Sequence, residues 1–180
     1  GPPRRAAAAL RSAAMLSIET EPRRSGPLLD RAEELATAHG LREDEAWVAY
    51  GRAEASLVTG DWSLAWDAGE RAVAIGEAHA YHRPVVRTWT VLTPIALAQG
   101  RTDALARAKA WLDPKRGTFP DSPFGRFMHA AMDLRFVAAG LLPAFEPGPD
   151  LLDIWNEAPG MASFFAAMET VLGTWMRNGR

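Results

Sequence analysis

Apolar residues recur along this chain at three- and four-residue steps. The segment beginning at position 62 shows it most clearly: Trp62, Ala65, Trp66, Gly69, Ala72, Val73 and Gly76 form one stripe. That is the spacing of an amphipathic helix face, and the same window fails the strict alternation of a strand. The small residues in the stripe let a second helix approach closely. Extended along the chain, the pattern predicts helices over about 4–18, 25–40, 43–59, 61–79, 84–100, 102–112 and 122–139. Pro27 suits a first helical turn, Asp61 and Thr102 suit N-caps, and Glu43, Asp44 and Glu45 sit favourably near a positive helix start. Pro94 falls inside the fifth helix and is expected to kink it. A polar stretch at 113–121 breaks the rhythm. The proline-bearing stretch 141–159 has room only for a short helix at 150–157, and a last helix is expected at 161–177.

The helices come with a period. Gly60, Gly100, Gly140 and Gly179 are separated by 40, 40 and 39 residues, and the residue three before each is apolar: Leu57, Leu97, Val137 and Met176. Ala38-His39-Gly40 is echoed 40 residues later by Ala78-His79-Ala80, with Ala32 matched by Ala72 and Leu35 by Ile75. Two helices per period of about 40 residues indicate stacked units that bury a shared core. The expected fold is therefore all-α, a right-handed α-solenoid of about four antiparallel helix pairs in one domain, 1–180. Its units fall at about 4–40, 43–80, 84–120 and 122–158, followed by the helix at 161–177.

At Gly60-Asp61-Trp62, followed by Ala65 and Ala72, the sequence resembles a tetratricopeptide repeat. The resemblance starts a unit at Ala46 and places the family's small first-helix residue on Ala53. It puts Ser56 where the family usually has tyrosine, and the closing proline is missing. The next unit carries Thr93, Leu105 and Leu112 at the matching places, so the repeats are degenerate. Such units of about 40 residues are similar to the helical arrays of large bacterial regulators. These include LuxR-type ATP-dependent transcriptional regulators akin to the maltose regulator, and multidomain proteins with nucleotide cyclase or ATPase modules.

The resemblance implies a non-catalytic sensor or docking segment that takes a protein, a peptide or a small-molecule effector. It also implies that the first helix of each unit lines a concave groove. Those groove positions fall on Trp47, Tyr50 and Glu54 in one unit, Arg87 and Thr90 in the next, and Phe127 in the one after. Aromatics and arginine supply much of the energy at binding surfaces, although the same residues would also form the packed face of a tightly wound array. The chain stops at Gly179-Arg180, where the period would begin another second helix. This leads to the expectation of a piece of a larger protein, with an uncapped end through which copies could associate.

Composition narrows the chemistry. A net charge of −2 gives no electrostatic case for direct nucleic-acid contact. Cysteine is absent, which removes disulfides, thiolate zinc sites and thiol nucleophiles. No apolar run is long enough for a membrane span. The faintly signal-like start is interrupted by Arg11 and resumes as an amphipathic helix, so a cytoplasmic location is expected. His79 and His82 form an H-x-x-H that would need a third ligand such as Glu77. Two histidines at a polar helix end do not complete a typical zinc shell, so no metal is expected. No phosphate loop, dinucleotide fingerprint, nucleophile elbow or zincin motif occurs, and neither cofactor nor catalytic residue is assigned. Phe119 and Phe124, in the loop 113–125, mark either a docking element or an ordinary connection. Two other readings remain: a stand-alone adaptor, and a helical enzyme using His79, His82 and His129.

Overall fold

The computed structural model describes residues 1–18, 20–118 and 123–144, and every regular element among them is helical. In chain order these are α1 (Pro2–Ser17), α2 (Pro22–Ala38), α3 (Arg42–Thr59), α4 (Trp62–Ala78), α5 (His82–Ala98), α6 (Thr102–Leu112), a 3-10 turn (Asp113–Thr118) and α7 (Pro123–Ala138). The helices expected at 150–157 and 161–177 lie outside the described residues.

Five of the seven helices end in one way. Gly40, Gly60, Gly100 and Gly140 have φ of 62°, 82°, 66° and 73°, and Ala80 joins them at 57°. At each, the residue that follows donates its N–H to a carbonyl five positions back: Leu41 to Ala36, Asp61 to Ser56, Tyr81 to Gly76, Arg101 to Ala96 and Leu141 to Phe136, at 2.8–2.9 Å. This is the Schellman closure, which needs a left-handed residue just past the helix and so favours glycine. The periodic glycines at 60, 100 and 140 are therefore backbone joints, and Gly179 lies outside the described residues.

The joints correct two expectations. Position 61 follows one left-handed glycine and position 101 the next, so both are N-caps. Asp61 accepts a hydrogen bond from the Leu64 N–H at 3.0 Å, whereas Arg101 makes no side-chain cap. Thr102 is already the first residue of α6, one place too late to cap it. Helix α2 begins at Pro22, earlier than expected, with Pro27 in its interior. Proline suits a first turn equally at Pro22, so Pro27 costs α2 one main-chain hydrogen bond.

The chain divides into two packing units, Gly1–Leu92 and Thr93–Arg180. In the first, α1 packs on α2 and α3, and α3 packs on α2 and α4. One core cluster joins Ala14, Leu29, Ala32 and Val48; another joins Ala49, Tyr50, Ala53, Ala72 and Val91. Full burial of each larger aliphatic side chain contributes roughly 1.5–3 kcal/mol. The glycines of the α4 stripe permit close contact: a Cβ on Gly69 would lie 2.5 Å from Leu92 Cδ2, and one on Gly76 would lie 2.3 Å from Val85 Cγ2.

In the second unit α6 packs on the 3-10 turn and α7. Arg116 binds both carboxylate oxygens of Asp133, one at 2.8 Å, and Asp113 accepts from Lys109 at 2.6 Å. Arg135 is fully buried and donates to Thr93 Oγ1 at 2.9 Å; burial lowers its pKa to about 9.

Candidate binding groove

The six residues expected on a concave face share helices but not accessibility. Trp47, Tyr50 and Glu54 lie on α3, Arg87 and Thr90 on α5, and Phe127 on α7. Tyr50, Glu54 and Thr90 are 0%, 3% and 1% exposed, so they cannot offer an open surface. The three- and four-residue spacing that places them on one helix face is also the spacing of a core face. Trp47 is half-buried and already engaged. The Arg11 guanidinium lies over its ring at 5.4 Å, and Tyr50 meets it edge-on at 5.7 Å. Arg11 also pairs with Asp44 at 2.8 Å, so this cluster joins α1 to α3. Arg87 is half-buried, and the side chain of Phe127 lies outside those described.

The open feature of the first unit lies elsewhere. Ser25, Gly26 and Leu29 of α2, Arg52, Ala55, Ser56 and Thr59 of α3, and Leu64, Asp67 and Ala68 of α4 line a mostly apolar groove of about 400 Å³. Small side chains make the hollow: Gly26, Ala55, Ser56 and Ala68 stand where larger residues would fill it. On its wall Leu64 is 58% exposed, and elsewhere on α3 and α4 Val58 and Trp62 are 39% and 42% exposed. Trp62 belongs to the α4 stripe by spacing but sits on the first turn, beyond the body of the core. Leu64 is off the stripe altogether.

No family model, curated protein or solved structure matches the chain. The groove must therefore be read from its own chemistry. Its polar end is fixed by a charged ladder. Arg52 binds Asp30 and Glu33 of α2, each at 2.7 Å, and Arg71 of α4 reaches Glu33 at 2.5 Å. Burial would raise the Glu33 carboxyl, but hydrogen bonds from Arg71 and Arg52 outweigh it and hold the group below its ordinary value. Asp30, Glu33 and Arg52 also line a shallower neighbouring hollow with Glu34, Thr37 and Ala38. The ladder crosses three helices and ties the groove walls together.

The histidines do not assemble a site within the first unit. His79 caps α4, exposed, and stacks on Tyr81 at 5.6 Å, while His82 opens α5, also exposed. Among the described residues no group of three or more histidines and acids is placed to hold a metal. His129 lies on α7, half-buried; burial lowers its pKa, Arg116 adds to the effect, and Asp133 opposes it. No described helix is long and apolar enough to cross a membrane.

Sequence reasoning missed the groove because its residues come from three helices and none stands out alone. The available signal was Leu64, an apolar residue off its helix's stripe, beside small residues on α3 and α4.

Proposed function

We propose that this chain is a non-catalytic binding module, built of degenerate tetratricopeptide-like helix pairs in a right-handed solenoid. In this reading it serves as the sensor or docking part of a bacterial cytoplasmic regulator. The recurring Schellman joints support the repeat, as do Ala53, Ala65 and Ala72, all fully buried at the positions where the family has small residues. The observation that carries the binding role is the preformed groove of α2, α3 and α4, with Leu64 exposed on its wall. Exposed apolar residues around a concave, rigidly braced hollow are the usual signature of a docking surface. With Tyr50, Glu54 and Thr90 inside the core, this groove replaces the concave face as the contact surface.

The test is to pan a random 12-residue displayed peptide library over the wild-type protein and over Leu64→Asp. Leu64 is mostly exposed, so the substitution should change stability by no more than about 0.5 kcal/mol. Peptides enriched on the wild type and lost on the variant support the module. No enrichment, or enrichment indifferent to Leu64, sinks it. The regulatory role is tested separately by reading the gene on both sides of the segment. A flanking ATPase, cyclase or DNA-binding helix-turn-helix supports it. A reading frame holding these residues alone would replace it with the stand-alone adaptor.

A further inference from the structure

The charge around the groove selects what can lie in it, and this inference rests on the groove being the binding surface. The ladder is internally neutral: two carboxylates, Asp30 and Glu33, meet two guanidiniums, Arg52 and Arg71. Glu34, next along α2, is paired with Arg31 at 2.6 Å. Asp67 is different. It lines the apolar part of the groove beside Leu64 and Ala68, is exposed, and makes no hydrogen bond or ion pair among the described residues.

An apolar trough carrying one uncompensated carboxylate favours a ligand with an apolar side chain beside a cation, and disfavours one that brings a second anion. On the α2 side the wall is low, since a Cβ built on Gly26 would meet nothing within 4 Å. A peptide main chain therefore has room to approach there. We propose that the groove receives a segment of a partner protein that lays an apolar side chain against Leu64, Ala55 and Ala68 and sets a neighbouring lysine or arginine against Asp67.

The experiment uses two displayed 12-residue libraries that share random apolar positions. One carries lysine and arginine at the remaining positions, the other aspartate and glutamate. Both are panned on the full chain and on its Asp67→Lys, Asp67→Asn and Leu64→Asp variants, with helicity checked by circular dichroism. The wild type should enrich the basic library about tenfold over the acidic one. Asp67→Asn should remove most of that preference, Asp67→Lys should invert it, and Leu64→Asp should abolish enrichment of both. Equal enrichment of the two libraries on the wild type, or a preference unmoved by either Asp67 variant, overturns the charge assignment and leaves the groove reading standing. Enrichment of neither library, or enrichment unmoved by Leu64→Asp, overturns the groove reading itself.

Discussion

The α3–α4 joint and the α6–α7 connection do the same job by different means. At the first, Gly60 takes φ 82°, two main-chain hydrogen bonds close α3, Asp61 caps α4, and the next helix starts at once. At the second, α6 runs on into the 3-10 turn Asp113–Thr118, and α7 starts only at Pro123. The step between joints is 20 residues, from 40 to 60, 80 and 100, and it resumes at 140. Position 120, where the same step would next fall, is a proline and lies outside the described residues. Proline's ring fixes φ near about −65°, so this residue type does not suit a left-handed closure. Side chains hold the described part of this connection. Arg116 bridges Asp113 and Asp133, Lys109 binds Asp113, and Lys115 donates to the Trp111 carbonyl while lying 4.4 Å from its ring centre. Main-chain closure is indifferent to salt, whereas a connection held by ion pairs weakens as salt is raised, and loses Asp113 to acid only below the ordinary aspartate range, where Lys109 and Arg116 hold it.

The contrast can be broken from either side. The largest effect is expected at the close approach of α4 and α5. Gly76→Ala drives a methyl group towards Val85 and to 3.2 Å from the Tyr81 carbonyl oxygen. It should cost about 1–3 kcal/mol in urea unfolding despite alanine's better helix propensity; an unchanged midpoint would show that this approach is looser than drawn. Next comes Arg116→Met, which removes a two-pronged pair that is partly shielded from water. A loss of about 1 kcal/mol is expected at low salt, shrinking as sodium chloride is raised towards ~1 M. A loss independent of salt would mean that Arg116 acts by packing.

Ala80→Gly should stabilise by about 0.5–1 kcal/mol, because alanine occupies a left-handed site filled by glycine at the other joints. Thermal melts showing no gain would mean that the Ala80 joint has relaxed. The smallest effect is a pH dependence. His129 has a folded pKa below its unfolded value of 6.5, so the unfolded chain binds more protons. Its contribution is complete above that value and fades as pH falls through the lowered one. His129→Gln should flatten the stability profile there, and an unaltered slope would assign the dependence to other groups.

Much of this fold could be read in advance from particular residues. The glycines at 40, 60, 100 and 140 located the helix ends because the left-handed closure leaves chemistry little choice, and Asp61 was recognisable as a cap. Thr102 was misjudged because a cap is defined by its distance from the preceding joint, not by residue type alone. Tyr50, Glu54 and Thr90 were misplaced for a related reason. Periodicity shows which residues share a helix face, and only packing shows whether that face meets solvent or another helix. The groove was the least legible part, since it depends on the gap left when small residues from α2, α3 and α4 come together.

Arg52 and Glu33 each hold two partners, and between them they span three helices. None of these helices can swing out without stripping a charged group from another. Main-chain amides of α2, α3 and α4 should accordingly trade deuterium with solvent as one cooperative block, through a shared opening event, while the first turns of α1 fray on their own.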